Sequence, residues 1–120
     1  MLYRTGAQAR RIEAALEKAG VPFSSAASGS GKQTLFGAGD TVKVVSMHSS
    51  KGLEFGLVLI PCLGEMPQAG EPEEDEARLL YVAMTRAIDR LVMTYREPSD
   101  FTRRVQDSIA GVRERLAEAV

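Results

Sequence analysis

The chain has 120 residues, which is enough for one domain and too few for two independent cores. Hydrophobic residues make up 44% of it and charged residues 26%, which is the balance of a folded protein and excludes a disordered one. Fifteen basic residues against sixteen acidic ones leave a net charge of -1, so no global positive field attracts nucleic acid or an anionic membrane. The single cysteine excludes an intramolecular disulfide and a metal site built from four cysteines.

The sequence carries no signal for a membrane or for export. Its longest apolar stretch, residues 57–63, is far shorter than the ~20 residues of a membrane-spanning helix. The N-terminal residues lack the apolar core of a signal peptide, and a single cysteine is typical of a reducing compartment. We therefore expect no membrane partner and a cytoplasmic location.

The first half of the chain predicts strands around one helix and one long loop. Apolar residues at helical spacing predict an amphipathic helix over residues 6–19, entered from a short strand at 2–3. Glycine and serine break any period between residues 20 and 40, which predicts a long flexible loop. Residues 41–47 alternate in polarity and residues 56–62 are continuously apolar, so we expect two strands, the second covered on both faces.

The second half predicts a helix, a strand and a helix. The acidic run 71–76 suits the positive end of a helix dipole, and the helix after it has an apolar face formed by Leu80, Ala83, Met84, Ala87 and Ile88. A strand is expected at residues 90–95. A C-terminal helix follows, with an apolar stripe of Phe101, Val105, Ile109, Val112 and Leu116. Alternating strands and helices predict a mostly parallel α/β sheet with helices packed on its faces.

The segment GSGK, residues 29–32, is similar to a phosphate-binding loop but fails on spacing. The full pattern needs a glycine five positions before the Gly-Lys pair and a serine or threonine after it, whereas Ala26 and Gln33 stand there. No aspartate follows an apolar strand in a position to hold Mg²⁺. The chain therefore lacks the parts to hydrolyse a nucleotide by itself, and a self-sufficient nucleotide hydrolase is a weak hypothesis.

Chemically active side chains concentrate in HSSKGLEF, residues 48–55, at the end of a predicted strand. Ligands of parallel sheets bind at the carboxyl ends of the strands, although His48 could equally be a structural histidine, and Lys51 and Glu54 a solvated ion pair. Arg86 could pair locally with Asp89 or present its guanidinium to a phosphate from a neighbouring domain. From the residues alone, both interpretations stay open.

The N-terminal pair Tyr3-Arg4 allows the same two interpretations. It could be an edge-strand aromatic ring beside a surface charge, or a ring that stacks on a base beside a cation directed at a phosphate. The residues alone do not decide between them.

Three segments, taken in order, resemble one family. LYRTGAQAR at 2–10, VKVVSMHSSKGLEF at 42–55 and EARLLYVAMTRA at 76–87 are similar to the C-terminal motor domain of UvrD/Rep-type superfamily 1 DNA helicases. The resemblance implies a three-layer RecA-like domain of the P-loop NTPase type without its own phosphate loop, spanning residues 1–120. The loop at 20–40 would replace the accessory domain that larger members insert.

In such helicases ATP lies between two RecA-like domains, and the first supplies the phosphate loop and the residues that hold Mg²⁺. By resemblance, the second domain would bind ATP and help to hydrolyse it through the following side chains. Tyr3 would stack on adenine, Arg4 would reach the γ-phosphate and Glu54 would bind the ribose, with Gly52 in the same nucleotide-binding set. Arg86 would be the arginine finger, so that Arg86 and Arg4 form the catalytic set.

The resemblance also implies partners. Contacts to single-stranded DNA would come from the segment His48, Ser49, Ser50 and Lys51, and the first motor domain of the same helicase would be the protein partner. We expect Arg4 and Arg86 to gain partners only when the two domains close on ATP, so the chain alone would be inactive. A guanidinium of Arg86 locked inside its own fold and facing away from any cleft would contradict this assignment.

A second hypothesis keeps the motor-domain fold and drops the catalysis. The short loop at 20–40 and the acidic run 71–76 are also compatible with a non-catalytic module that docks a partner or a DNA end. Binding indifferent to ATP would distinguish it from the motor domain.

Overall fold

The structure, a computed structural model, describes residues 1–25 and 39–119. Its strands and helices, in chain order, are β1 (Leu2–Tyr3), α1 (Gly6–Lys18), β2 (Phe23–Ser25), β3 (Val42–Ser46), β4 (Phe55–Ile60), α2 (Glu73–Met84), β5 (Ala87–Met93) and α3 (Asp100–Glu118). Short 3-10 turns at His48–Ser50 and Leu63–Glu65 lie on either side of β4. Within the described ranges no helix is both long enough and apolar enough to cross a membrane.

Each strand pair is parallel, as the alternation of strands and helices predicts. In one sheet β3 lies between β1 and β2, with Leu2 opposite Val45. In the other, β4 pairs with β5, and Phe55 lies opposite Ala87 at the beginning of both strands. The pairing places the chain entering β4 next to the chain leaving α2.

The helices lie on opposite faces of these strands and make three layers. Successive strand residues point to opposite faces: Tyr3 and Val44 pack in a cluster with Ile12 of α1, whereas Leu2 and Val45 belong to a second cluster. That larger cluster also contains buried residues of β4, α2 and α3, namely Val58, Ile60, Leu80, Ala83 and Phe101. The three-layer α/β fold is confirmed.

Local signals set where the helices begin. The hydroxyl of Thr5 accepts the N–H of Gln8 at 3.3 Å and caps α1. Ser99 and Thr102 form a reciprocal capping box at the start of α3. The first turn of α2 contains four acidic residues, Glu73, Glu74, Asp75 and Glu76, as expected from the run at 71–76.

The stretch 20–40 is not a loop throughout, which corrects the sequence-based expectation. Phe23–Ser25 form β2, which pairs in parallel with β3. A three-residue strand with two serines has too short a pattern to be recognised, and its pairing with β3 supplies the missing stabilisation. Residues 26–38 lie outside the described part of the chain, and so does the GSGK segment at 29–32.

The boundary between α2 and β5 also differs from the expectation. The helix ends at Met84, and β5 begins at Ala87 instead of residue 90. Ala87 and Ile88, expected on the apolar face of the helix, therefore lie in the strand. Instead of continuing the helix, these residues pair in parallel with β4. At the start of this pairing the N–H of Phe55 donates to the carbonyl of Arg86 at 2.9 Å. A helical period cannot reveal this long-range pairing.

Two apolar surfaces are less covered than the sequence predicts. In β4, Val58 and Ile60 are buried and Leu59 is half-buried, but Leu57 is 51% exposed, so only one face of β4 is fully covered. The stripe on α3 is buried at Phe101 and half-buried at Val105. Its remaining members, Ile109, Val112 and Leu116, are largely accessible to solvent.

Candidate functional site

Helix α2 connects the three segments that the sequence singles out. Its first turn contacts Arg4, which follows β1, through Glu76. Just beyond its far end lies Arg86, which contacts the HSSKGLEF segment through the carbonyl of Leu53. The fold thereby brings three distant parts of the sequence together at the two ends of one helix.

Arg4 is held at both its backbone and its side chain. Its N–H donates to Oε1 of Gln8 at 2.7 Å. Its Nε donates to both carboxylate oxygens of Glu76, at 3.1 and 2.9 Å. The side chain of Glu76 is only 3% exposed and that of Arg4 only 13%, and Glu76 also accepts the N–H of Gln68 at 2.7 Å.

This ion pair corrects one expectation. Arg4 does not wait for domain closure to gain an anionic partner, because Glu76 already supplies one within the fold. A buried cation needs such a partner, since an unpaired charge out of water is costly. The pairing occupies Nε, and within the described ranges neither terminal nitrogen of the guanidinium has an acceptor.

A compact turn precedes β4. Ser50 is fully buried, and its hydroxyl donates to the carbonyl of Met47 at 2.7 Å. The N–H of Leu53 donates to the carbonyl of Ser50 at 3.0 Å. Between them Gly52 adopts φ +82, a conformation that glycine reaches without the steric penalty of a side chain. The turn directs residues 53–55 toward the start of β4.

Ser50 differs from its neighbours in the expected nucleic-acid set. His48, Ser49 and Lys51 are exposed, so all three side chains are accessible to a ligand, whereas the hydroxyl of Ser50 is committed to the turn. Glu54 is also exposed. In the described part of the chain Lys51 and Glu54 form no ion pair with each other, which leaves both charges accessible.

Arg86 makes its contacts through neutral groups. Nε donates to the carbonyl of Val82 at 3.0 Å, Nη1 to the carbonyl of Leu53 at 3.3 Å and Nη2 to the hydroxyl of Thr85 at 3.3 Å. It forms no ion pair with Asp89 or with any other residue in the described ranges. The half-buried guanidinium is therefore restrained by its own fold but has no counter-ion there.

The two arginines are held apart along α2. Arg4 contacts the side chain of Glu76 and Arg86 contacts the carbonyl of Val82, two positions about 9 Å apart along the axis at the α-helical rise. The Glu76 side chain also leans toward the helix N-terminus, which increases the separation. Arg4 therefore meets α2 in its first turn, and Arg86 meets it near its C-terminal end.

Tyr3 lies mostly in the core. It is 8% exposed and packs with Ala9, Ile12 and Val44. Burial and the nearby carboxylate of Glu13 raise the pKa of the Tyr3 phenol. In this conformation only a small part of the ring is accessible to a base.

Sequence reasoning misses two residues of this site, Glu76 and Gln8. Both are buried polar residues, at 2% and 1% exposure. A signal for Glu76 exists in the sequence, because it lies four residues before Leu80 and seven before Ala83 on the apolar face of α2. The acidic run that contains it points instead to a role in complementing the helix dipole. No comparable signal points to Gln8.

The described residues supply no metal centre of their own. Nowhere in residues 1–25 and 39–119 do three or more His, Cys, Asp or Glu side chains converge as potential ligands. The HSSKGLEF turn and Arg86 present basic side chains, the hydroxyl of Ser49 and one accessible carboxylate, Glu54.

Comparisons with known proteins place this arrangement in a family. A model of the UvrD-like helicase C-terminal domain matches residues 27–98, more than half of the chain. The chain belongs to the UvrD-like helicase C-terminal domain family. The match includes the HSSKGLEF segment and Arg86 of this helicase domain, whereas Tyr3 and Arg4 precede it.

Individual relatives agree with this assignment. The helicase domain is 41% identical over 66 residues to DNA helicase II of Escherichia coli strain K12, an alignment that covers 48% of this chain and 9% of the relative. It is 42% identical over 62 residues to the ATP-dependent DNA helicase Rep of Buchnera aphidicola subsp. Acyrthosiphon pisum, covering 47% and 10%. The matched part thus spans about a tenth of the length of these relatives.

A solved structure supports the fold of this helicase domain. The C-terminal domain of a possible DNA helicase from Lactobacillus plantarum superposes with a TM-score of 0.64 at 24% sequence identity. The superposition covers 83% of this chain and 57% of the other.

Proposed function

We propose that this chain is the second motor domain of an ATP-dependent DNA helicase. A partner motor domain with a phosphate loop and the ligands for Mg²⁺ would hold ATP, and this chain would close over the bound nucleotide. The family match and the relatives described as DNA helicases support the proposal. Because the chain lacks a phosphate loop of the required spacing, it would not hydrolyse ATP alone.

The observation that carries the proposal is the environment of Arg86. Its guanidinium is half-buried next to the turn before β4 and binds neutral oxygens only. A partly buried cation without a counter-ion is a favourable partner for a phosphate. In the closed motor Arg86 would serve as the arginine finger and neutralise charge that develops on the γ-phosphate.

The other proposed nucleotide contacts surround this position. The exposed carboxylate of Glu54 follows Leu53, whose carbonyl Arg86 binds, so it is available for the ribose hydroxyls. Gly52 shapes the turn that presents Glu54. Arg4 would contribute its terminal nitrogens to the γ-phosphate, and the accessible part of Tyr3 would contact adenine.

The different partners of the two arginines suggest how closure is coupled to ATP. Arg86 would exchange its bonds to neutral oxygens, each worth roughly 1.5–3 kcal/mol net for a charged donor, for stronger bonds to phosphate in which both partners are charged. Arg4 would keep its ion pair with Glu76, because breaking the pair would leave a buried carboxylate without a counter-ion. ATP would then favour the closed state through bonds that Arg86 makes only there, and hydrolysis would release them.

Contacts to single-stranded DNA are proposed for the same turn. His48, Ser49 and Lys51 offer accessible polar groups directly before Gly52 and Glu54, so DNA and nucleotide would share one short segment. Ser50 would act by holding the turn through its bond to Met47. The near-neutral net charge predicts weak single-strand binding by the isolated chain, since few counterions are released.

DNA-stimulated ATP hydrolysis tests the proposal, with this chain combined with a phosphate-loop motor domain of the same helicase. Arg86→Ala is expected to lower turnover by roughly 10³-fold or more, the contribution of an arginine finger. Arg90→Ala is the matched control, because Arg90 is an exposed arginine four residues later in β5. Equal turnover in the Arg86→Ala and Arg90→Ala proteins would disprove the finger assignment.

The same preparation distinguishes the docking alternative. A docking module would bind its partner equally well with and without ATP, and Tyr3→Ala would leave binding unchanged. The motor-domain proposal requires ATP to tighten the association of the two domains.

A further inference from the structure

We propose that Glu76 is a positioning residue for Arg4: the buried carboxylate holds the Nε edge of the guanidinium so that its terminal nitrogens are free for the phosphates of ATP. This inference rests on the proposed function, because Arg4 has a nucleotide to contact only in an assembled motor. Glu76 itself would touch neither the nucleotide nor DNA.

The geometry of the ion pair separates it from the other pairs of the domain. Arg4 reaches both oxygens of Glu76 through Nε. The remaining arginine ion pairs in the described ranges use terminal nitrogens, as in Arg11 Nη2 with Glu65 at 2.7 Å. A pair through a terminal nitrogen occupies one arm of the fork that would bind a phosphate, whereas the pair through Nε leaves both arms open.

Burial makes this orientation persistent. Glu76 is 2% exposed, and its position is fixed a second time by the N–H of Gln68. Gln8 restrains the backbone of Arg4 by accepting its N–H. With the backbone and Nε both held, few rotamers of the Arg4 side chain remain, so little order has to be gained when a phosphate binds.

A purely stabilising role does not require these residue types. Buried ion pairs are commonly no more stable than apolar residues of similar volume at the same positions. An orientation role does require them, because only an arginine can give one nitrogen to a carboxylate and still offer two others in a fixed plane. A lysine at position 4 would direct its single ammonium group to Glu76.

The test compares Arg4→Lys, Arg4→Ala and Glu76→Gln in DNA-stimulated ATP hydrolysis by the same two-domain preparation, with kcat and KM determined separately. Arg4→Lys retains the charge pair, so the melting temperature is expected to stay near that of the parent. It is nevertheless expected to lower kcat/KM for ATP by about 10- to 100-fold, the effect of misplacing a phosphate contact. Glu76→Gln is expected to lower kcat/KM to a similar degree, and combining it with Arg4→Ala should add nothing further.

Glu65→Gln is the control, since it disrupts an exposed pair with Arg11 that lies outside the proposed site. Its kcat/KM should equal that of the parent. Parental kcat/KM in the Arg4→Lys protein would overturn the positioning role even if Glu76→Gln fails to fold. Additive losses in the double variant would overturn it as well.

The outcomes separate this inference from the proposed function. If Arg4→Ala lowers kcat/KM and Glu76→Gln does not, the positioning role is wrong and the motor-domain function stands. If Arg4→Ala itself has no effect while Arg86→Ala does, Arg4 does not contact the nucleotide and both its assigned role and this inference fail. If neither arginine matters, the motor-domain function is wrong.

Discussion

Replacing Glu76 by alanine should destabilise this domain far more than any surface ion-pair deletion. The change removes a carboxylate whose side chain is 3% exposed and leaves the guanidinium of Arg4, 13% exposed, without its partner. It also leaves the N–H of Gln68 without its acceptor. Glu65→Ala is the matched control, because the Arg11–Glu65 pair is 59% and 47% exposed.

The burial of each pair sets the expected magnitudes. Breaking a buried ion pair by removing one partner costs about 3–5 kcal/mol, and the slight exposure of Arg4 places Glu76→Ala near the lower end, at ~3 kcal/mol. An exposed pair is worth about 0–1 kcal/mol. In a domain of this size ~3 kcal/mol corresponds to a decrease in Tm of roughly 10 °C, against about 0–4 °C for the control.

Urea unfolding of the chain, followed by far-ultraviolet circular dichroism, measures both free energies. The slope of unfolding free energy against urea should be the same in parent and variants, since the surface exposed on unfolding is nearly unchanged. Unfolding free energies for Glu76→Ala and Glu65→Ala that agree within about 1 kcal/mol would refute the buried pair.

An apolar replacement of the whole pair extends this prediction. In Arg4→Met combined with Glu76→Leu, no buried charge is left unpaired. Much of the lost unfolding free energy should therefore return, as commonly occurs for buried ion pairs, while the N–H of Gln68 still lacks its acceptor. ATP hydrolysis in the assembled motor should not return, because position 4 no longer offers nitrogens to a phosphate. Recovery of both properties would contradict the role of Arg4.

Three further predictions follow from single residues. Gly52→Ala should cost about 1 kcal/mol of unfolding free energy, because Gly52 has φ +82 while a methyl group there would meet no neighbouring atom. Gly6→Ala, at the start of α1, is the control and should cost nothing. Equal effects of the two substitutions would contradict a strained turn at Gly52. Ser99→Ala should cost about 1 kcal/mol in urea unfolding by removing the cap of α3, and an unchanged midpoint would show that the cap is dispensable. In an alkaline absorbance titration Tyr3→Phe should remove a tyrosine transition that lies above the ordinary tyrosine range, because burial raises the pKa of Tyr3 in the folded state. The unfolded state loses this proton first, so stability should fall as the pH rises above about 10, and the fall should be smaller in Tyr3→Phe.

The positions of the main elements follow from local patterns in the sequence. Helical spacing of apolar residues locates α1, α2 and α3, and in the structure Thr5 and Ser99 cap two of their starts. The alternation of strands with helices is sufficient to predict parallel pairing. These signals are local because a helix or strand buries one face whatever its partner is.

The sequence by itself also singled out candidate site residues, whose roles stay predictions. Arg4, Glu54 and Arg86 stand out as charged residues in the three segments that resemble the helicases, and the missing phosphate loop indicates that any nucleotide chemistry is shared with another domain. Membership of the UvrD-like helicase C-terminal domain family agrees with that interpretation.

Only the tertiary structure decided which partner each charge has. Glu76 lies 72 residues from Arg4 in the chain, and no local pattern specifies that their side chains meet. The same holds for β2, which exists because β3 lies beside it, and for the early start of β5 opposite β4. Long-range pairing depends on the packing of the whole chain. The sequence therefore shows which residues are charged, while the fold determines how each charged side chain is oriented.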